Sequence, residues 1–237
     1  MKALQISFDT PGKLRLPAAY QHLVQSLLYS CWEKDFPTLH APRDAEGARQ
    51  RKLFCFGRLE GRYWIDGAEI VFVPPVSLEL RSAADALVDV LAEELRRNPE
   101  SRLGDHPVSV CGLVCETRWL FPDSALIQTR SPITVYETLP DGKTRYFSPE
   151  DAAWQERLRR NLEAKADALG ISSPAVFSLE PVGGPKKQVS RFKGTYITGY
   201  SGRFRLRADA GAMAILYHCG LGNRNSQGFG LFDLLDK

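Results

Sequence analysis

The sequence contains no hydrophobic run that approaches the roughly 20 residues a membrane-spanning helix needs, which excludes membrane insertion by such a helix. Residues 1 to 8 alternate polar and apolar side chains and lack the apolar core and small-residue cleavage site of a secretory signal. With 43% hydrophobic and 25% charged residues, the composition is that of a soluble globular protein. We therefore expect a cytoplasmic protein whose first element is a β-strand.

Cysteine is scarce and scattered. The five cysteines are Cys31, Cys55, Cys111, Cys115 and Cys219. They form no C-x-x-C pair and have no histidines at zinc-ligand spacing. Cys111 and Cys115 are four residues apart, but two ligands cannot complete a tetrahedral site and their apolar neighbours are typical of a strand. We predict reduced, mostly buried thiols and no metal.

Acidic residues are absent from one long stretch. Between Pro181 and Ala208 there is no Asp or Glu. The seven basic residues of this stretch are Lys186, Lys187, Arg191, Lys193, Arg203, Arg205 and Arg207. A net charge of +3 is too small to indicate nucleic-acid binding by itself, so this local excess is the informative feature.

The first half of the chain shows hydrophobic periodicities that alternate between strand and helix. The predicted elements are a strand over 2–8, a helix carrying an apolar stripe from Tyr20 to Cys31, strands over 53–59 and 69–80 joined at Asp66-Gly67, a helix from Ser82 to Asn98, and a strand over 108–118. This order is that of a ferredoxin-like βαββαβ domain. We assign it to residues 1–120.

The second half, residues 121–237, repeats this order less clearly. The predicted elements are strands over 133–138 and 144–148, a helix over 149–169, strands near 187–199 and 203–207 with a turn at 199–202, a short helix over 208–217 and a strand over 229–235. Residues 171–186, rich in proline and glycine, are predicted to be irregular, as either an extra loop or a strand pair. We predict an α+β fold of two tandem ferredoxin-like domains.

A glycine-rich segment lies near the C-terminus. Gly220, Gly222, Gly228 and Gly230 flank a polar turn. The segment fails the dinucleotide-binding pattern because residue 225 is Asn, and it lacks the Gly-Lys-Ser/Thr of a P-loop. Glycines permit positive φ and close backbone approach, and such a turn can offer backbone N–H groups to a phosphate. A phosphate-binding turn and a simple connecting hairpin are both compatible with it.

The pattern G-L-G-x-x-x-x-x-G-F-G, followed by an apolar strand, resembles the glycine-rich loop of the RAMP superfamily, specifically of its CRISPR precursor-RNA endoribonucleases (the Cas6 type). The likeness extends to local motifs at 27–29, 39–40, 51–54, 131–133 and 194–202. Tandem ferredoxin-like domains are also that family's fold. The resemblance implies metal-independent cleavage of CRISPR repeat RNA within precursor transcripts, with no cofactor, to give mature guide RNAs.

The resemblance also implies the chemistry and the residues. The RNA 2′-hydroxyl attacks the adjacent phosphate, leaving a 2′,3′-cyclic phosphate and a 5′-hydroxyl. Family members use a histidine, a tyrosine and a lysine, which correspond here to His40, Tyr29 and Lys52. A histidine can transfer protons at neutral pH, the tyrosine can orient the ribose or share proton transfer, and the lysine can stabilise charge on the phosphate.

The residues themselves are consistent with these roles. His40 lies in a proline-flanked loop, and a helical wheel places Tyr29 opposite the apolar stripe of its helix. Lys52 begins the next strand, close to the end of that helix in a ferredoxin-like unit. The alternative cations are Arg43, Arg49 and Arg51. His22 is a weaker alternative for an imidazole, while His106 and His218 are interpreted as structural.

The predicted RNA-binding residues are Lys186, Lys187, Arg191, Lys193, Arg203, Arg205, Arg224 and Asn225. Aromatic residues at 192, 196, 200 and 204 can stack on bases, although strand alternation makes them more typical of a core. The alternative function is a non-catalytic RAMP-type RNA-binding subunit of a CRISPR effector complex. The expected partner is CRISPR repeat RNA, and binding to other effector-complex subunits or to a second copy, as a homodimer, stays open.

Overall fold

The computed structural model describes residues 1–39, 41 and 50–235. The first half contains β1 (Lys2–Asp9), β2 (Leu14–Pro17), α1 (Gln21–Trp32), β3 (Phe54–Phe56), β4 (Glu60–Asp66), β5 (Glu69–Ser82), α2 (Asp85–Arg97), β6 (Glu100–Leu103) and β7 (His106–Glu116). The second half contains β8 (Ser124–Thr129), β9 (Tyr136–Thr138), β10 (Thr144–Tyr146), α3 (Ala153–Ala168), β11 (Phe177–Phe192), β12 (Thr195–Ala208), α4 (Ala210–Cys219), a 3-10 turn (Asn225–Gln227) and β13 (Phe232–Leu235).

The first sheet has the ferredoxin-like arrangement. Its central path runs β7, β1, β5 and then β3 and β4, with antiparallel pairing throughout. Because strand side chains alternate between faces, Leu4, Ile6 and Phe8 all point into one core that also receives the apolar faces of α1 and α2. The predicted order is confirmed here, and β2, β4 and β6 are three additional strands.

The second sheet has the same arrangement, in the order β11, β12, β8, β13. Its core receives α3 and α4. The segment 133–138 contains a strand, as predicted, but it is not the first strand of this sheet, because β8 (Ser124–Thr129) occupies that place. Residues 136–138 instead pair with 144–146 in a separate two-stranded sheet.

The long hairpin of β11 and β12 also differs from the prediction. Its turn lies at Lys193 and Gly194, both with positive φ (46° and 85°), as a two-residue hairpin turn requires. The predicted turn at 199–202 lies inside β12, opposite an irregularity in register between Val182 and Lys186. Glycine at 199 is needed there because a Cβ would come within 2.8 Å of the Pro132 side chain. Residues 177–186, predicted as irregular, belong to β11.

Buried ion pairs join the two halves of the chain. The Arg81 guanidinium on β5 is 1% exposed and pairs with Glu79 at 2.5 Å and with Asp233 of β13 at 3.0 Å. It also lies 3.8 Å from the ring centroid of Tyr217 on α4. Arg130 pairs with the same two carboxylates. The packing of β5 against β13 and α4 is therefore fixed by charge as well as by apolar contact.

Two cysteines differ from the prediction of mostly buried thiols. Cys55 and Cys219 are buried and Cys31 is half-buried, but Cys111 and Cys115 are exposed. Cys111 is the extra residue where the register between β1 and β7 shifts, and such bulged residues are unpaired. No helix within the described ranges is long and apolar enough to cross a membrane.

Candidate active site

A cavity of about 560 Å³, here called the Tyr29 cavity, lies where α1 meets the glycine-rich loop. Tyr29 and Lys52, two of the three predicted catalytic residues, line it together with Lys193 and Ser226. The third predicted residue, His40, lies outside the described residues. The structure therefore brings Tyr29 and Lys52 to one cavity and adds residues from the second half of the chain.

The helical wheel placed Tyr29 on the side of α1 away from the core. In the structure Tyr29 is instead half-buried and contacts the core. Its ring packs edge-on against Trp32 and Phe54, with centroid distances of 6.0 and 6.2 Å. Burial raises the pKa of the phenol, and a hydrogen bond with the Ser226 side chain opposes this shift. The phenol is therefore protonated at neutral pH, and it lines the wall of the cavity.

Lys52 is tied to the backbone on both sides of His40. Its Nζ donates hydrogen bonds to the carbonyl oxygens of Leu39 and Ala41, the second at 2.6 Å. A third donor goes to Oε1 of Gln50 at 2.5 Å. Burial lowers the pKa of Lys52 to about 8. An ammonium group has three donors, so all of them are used within the protein.

Of the three arginines considered as alternatives to Lys52, the structure describes one. Arg43 and Arg49 lie outside the described residues. Arg51 lines a second cavity, which also touches Lys52.

The glycine-rich loop is held together by its own amides and by a buried lysine. Nδ2 of Asn225 donates to the carbonyl oxygens of Leu221 and Phe229, both at 3.0 Å. Nζ of Lys165 on α3, 4% exposed, donates to the carbonyl oxygens of Gly220 at 2.7 Å and Gly222 at 3.2 Å. The amide of Asn225, predicted to contact RNA, is thus engaged in holding the loop.

The loop presents side chains to the Tyr29 cavity, and much of its backbone is already paired. The N–H groups of Leu221, Asn223, Gly228 and Gly230 donate to backbone carbonyls. Glycine is required at 230 because a Cβ would lie 2.0 Å from the carbonyl oxygen of Leu221. These four N–H groups are therefore not free to bind a phosphate, as a phosphate-binding turn would require.

The loop also docks on the first half of the chain. Nε2 of Gln25 on α1 donates to the carbonyl oxygen of Ser226 at 2.6 Å. A Cβ at Gly228 would lie 3.0 Å from the Phe56 ring. This packing carries Ser226 and Gln227 to the Tyr29 cavity.

Lys165 was not identified from the sequence, yet a signal was present. Trp154, Leu158 and Leu162 form the apolar stripe of α3, and residue 165 continues that stripe three positions on. A lysine on the apolar side of a helix must find buried acceptors. Here those acceptors are the carbonyl groups of the glycine-rich loop.

The predicted RNA-binding side chains do not share one surface. Lys193, at the turn of the long hairpin, lines the Tyr29 cavity. Arg191 lines a groove of about 710 Å³ between this hairpin and the first half of the chain. Arg203 and Arg205 are exposed on β12, where they alternate with buried apolar residues. Lys186 and Lys187 are exposed on β11.

Arg224 and the aromatic residues are placed as follows. Arg224 lies over the ring of Tyr136, 4.8 Å from its centroid, and donates to Gln227 at 3.0 Å. Phe192 and Phe204 are buried in the core. Tyr200 packs edge-on against Trp154. Tyr196 is 68% exposed, which leaves it as the aromatic residue of this hairpin that is open to a base.

The remaining histidines lie away from the Tyr29 cavity lining. Nδ1 of His22 is 2.8 Å from the carbonyl oxygen of Ala19, and its ring packs edge-on against Phe192. His218 is buried, and burial lowers its pKa to about 4, so it is neutral at physiological pH. His106 opens β7. No cluster of three potential metal ligands is present in the parts of the chain that the structure covers.

The fold of this protein is similar to that of solved structures that match nearly the whole chain. A Cas6-related protein from Pyrococcus furiosus is 20% identical with a TM-score of 0.84, covering 99% of this chain and 98% of that one. A CRISPR-associated protein Cas6 is 22% identical with a TM-score of 0.81, covering 99% of each chain. A RAMP protein described as binding different RNA substrates is 21% identical with a TM-score of 0.82, covering all of both chains.

These structures establish the class of fold as the tandem ferredoxin-like architecture of RAMP proteins. No curated protein sequence matches this chain. The family model for "CRISPR associated protein Cas6, C-terminal" matches residues 116–234, half of the chain. The chain therefore belongs to the Cas6 family of CRISPR-associated RNA-processing proteins, and the resemblance seen in its glycine-rich loop is confirmed.

Proposed function

We propose that this protein is a metal-independent endoribonuclease that cleaves CRISPR repeat RNA within precursor transcripts. The observation that carries the proposal is the cavity shared by Tyr29 and Lys52, in which Lys52 also binds the carbonyl groups on both sides of His40. A proton donor, a cation and the backbone next to an imidazole are thus close together. These are the groups that attack by an RNA 2′-hydroxyl requires.

In the proposed reaction the 2′ oxygen bonds to phosphorus and the bond between phosphorus and the 5′ oxygen breaks. The 2′-hydroxyl loses its proton and the departing 5′ oxygen gains one. His40 carries this proton transfer, because an imidazole with a pKa of about 6.5 can both accept and donate a proton at neutral pH. The products are a 2′,3′-cyclic phosphate and a 5′-hydroxyl.

Tyr29 and Lys52 have different parts in this reaction. The pKa of Tyr29 is raised by burial, so its protonated phenol donates a hydrogen bond to the ribose or to a phosphate oxygen. Lys52 has its three donors engaged by Leu39, Ala41 and Gln50. It therefore acts as a positioning residue for the backbone around His40, and its charge stabilises the transition state at short range.

Repeat RNA reaches the cavity along the basic hairpin. Lys193 is the basic residue of the hairpin at the cavity, and Arg191 extends the positive charge into the adjacent groove. Lys186, Lys187, Arg203 and Arg205 lie farther along the two strands, outside the linings of the cavity and of the groove. A structurally similar RAMP protein is described as binding RNA, which supports RNA as the partner. Charge of this kind binds phosphates without reading sequence.

The test is cleavage of the cognate repeat RNA in EDTA. Wild type is expected to cut, and His40→Ala and a substrate with a 2′-deoxy sugar at the cut site are expected to abolish cutting. Cleavage that requires metal, or that survives the 2′-deoxy change, contradicts the mechanism. RNA binding by wild type without cleavage assigns the protein to the non-catalytic RNA-binding subunits instead.

A further inference from the structure

A second cavity, of about 270 Å³, adjoins the Tyr29 cavity. Lys52, Ser226 and Gln227 line both cavities and form the wall between them. The rest of its lining comes from residues 50–51, β9, α3 and the glycine-rich loop. We call it the Lys165 cavity, after the buried lysine at its base.

The Lys165 cavity has an excess of positive charge. Its cationic lining residues are Arg51, Lys52, Lys165 and Arg224, and none of its described lining residues is acidic. The known acceptors of Lys52, Lys165 and Arg224 are carbonyl groups and side-chain amides. Neutral acceptors satisfy donors but do not neutralise charge, so this cluster attracts an anion.

Burial makes this excess costly. Lys165 is 4% exposed, and its pKa is lowered to about 8 by burial, with Arg51 contributing in the same direction. A cluster of this kind is disfavoured unless an anion lies close to it. The position of Lys165 at the carbonyls of Gly220 and Gly222 means that the anion would lie directly against the glycine-rich loop.

Two buried polar atoms of the lining residues have no hydrogen-bond partner among the residues that the structure describes. They are Nε of Arg224, which is a donor, and Oδ1 of Asn161, which is an acceptor. Buried polar atoms are nearly always hydrogen-bonded. The first is a donor of the kind that a phosphate oxygen accepts from, and the second is an acceptor of the kind that a hydroxyl group donates to. A ribonucleotide carries both.

We propose that the Lys165 cavity is a phosphate-binding site, formed by Arg51, Lys165 and Arg224, that holds a backbone phosphate of the RNA next to the one being cut. The assignment to RNA rests on the proposed function, which places the scissile phosphate in the adjoining Tyr29 cavity. The shared wall at Ser226 and Gln227 separates two consecutive phosphates. The site fixes the register of the RNA, so that one particular bond faces Tyr29.

The test is the salt dependence of RNA binding, measured with repeat RNA made uncleavable by a 2′-deoxy sugar at the cut site. Arg224→Gln is expected to bind about tenfold more weakly. The slope of log affinity against log salt is expected to fall by about 0.7, as for one lost phosphate contact on single-stranded RNA. Arg224→Lys keeps the charge and should retain most of the slope. Arg51→Gln is a second variant in case Arg224→Gln does not fold.

The matched control is Arg160→Gln. Arg160 lies on the same helix as Lys165 but is exposed and pairs with Glu156, so affinity and slope should both equal those of wild type. A single neutral methylphosphonate beside the cut site should weaken binding by wild type and leave binding by Arg224→Gln unchanged. An unaltered affinity and slope for folded Arg224→Gln and Arg51→Gln would overturn the proposal.

A separate arm distinguishes RNA from free phosphate. Inorganic phosphate is titrated against wild type and Arg224→Gln by thermal melting. Stabilisation of wild type alone, combined with unaltered RNA binding by the variant, would overturn the RNA assignment and identify free phosphate as the ligand. The proposed function has its own test: it fails if wild type binds normal repeat RNA in EDTA but leaves it uncut. In that case the salt dependence of binding still tests the Lys165 cavity as a phosphate site.

Discussion

The ammonium nitrogen of Lys52 lies 2.6 Å from the carbonyl oxygen of Ala41, and the same group binds Leu39 on the other side of His40. A lysine whose donors end on backbone carbonyls acts by fixing that backbone. Lys52→Met is therefore expected to lower the single-turnover cleavage rate about 10²-fold and to change the dissociation constant for RNA little. Rates and affinities are measured on the same repeat RNA.

The control for Lys52→Met is Lys143→Met. Lys143 is 80% exposed and pairs with Asp141, so its loss should alter neither rate nor affinity. If Lys52 instead bound the phosphate directly in the ground state, Lys52→Met would weaken RNA binding by as much as it slows cleavage. That result would contradict the positioning role.

Tyr29→Phe separates the phenol hydroxyl from the ring. The ring packs on Trp32 and Phe54, and phenylalanine keeps these contacts, so the free energy of unfolding should fall by only about 1 kcal/mol for the lost hydrogen bond. The cleavage rate should fall at least about tenfold, because the proposed role of the hydroxyl is to donate a hydrogen bond to the RNA. Tyr217→Phe is the control, because the Tyr217 ring packs on Arg81, outside the Tyr29 cavity lining. Wild-type cleavage by Tyr29→Phe would show that the hydroxyl has no part in the reaction.

The order of elements in the first half was largely predictable because most of them bury a regular apolar pattern. Residues 87, 88, 91 and 95 of α2 lie in the core as the helical period requires. The hairpin turn was harder to predict, since Gly199 and Gly202 look like a turn in sequence. Gly199 instead allows β12 to approach Pro132 closely, and Gly202 lies opposite the irregularity in β11. The chain reverses at Lys193 and Gly194.

The candidate site was only partly predictable for a related reason. Motifs pointed separately to Tyr29, Lys52 and the glycine-rich loop, but no local pattern shows that Ser226 meets Gln25 across 201 positions of sequence. That contact depends on how the two halves pack. The role of Lys165 could not be predicted for the same reason. Its acceptors, the carbonyl oxygens of Gly220 and Gly222, lie more than 50 residues further along the chain and reach it only through tertiary packing.

Lys165 should give the protein a distinctive pH dependence of stability. Its pKa is lowered from 10.5 to about 8 in the folded state, so between these values the unfolded chain binds more protons than the folded one. Stability from this group therefore rises as the pH increases from about 8 to 10.5, by about 3 kcal/mol for a shift of this size. Below pH 8 the group is protonated in both states and its contribution is constant.

The measurement is the free energy of unfolding of wild type and Lys165→Met in urea across this pH range. The difference between the two proteins isolates Lys165 from Cys55 and Tyr20, whose raised pKa values act in the opposite direction. The wild type should gain relative to Lys165→Met as the pH rises. A difference that stays constant from pH 8 to 10.5 would show that the lysine is not held in a desolvated site.

Arg81 should contribute more to stability than any exposed ion pair of the chain. Its guanidinium is buried against Glu79, Asp233 and the Tyr217 ring, so Arg81→Met leaves Glu79, itself largely buried, without its main counter-charge. Removing one partner of a buried pair costs about 3–5 kcal/mol. Arg15→Met breaks two pairs at an exposed site, with Asp66 and Glu69, and should cost much less, because water and salt screen exposed pairs. Urea unfolding of both variants makes the comparison, and equal losses would mean that the Arg81 contacts between β5 and β13 do not stabilise the junction of the two halves.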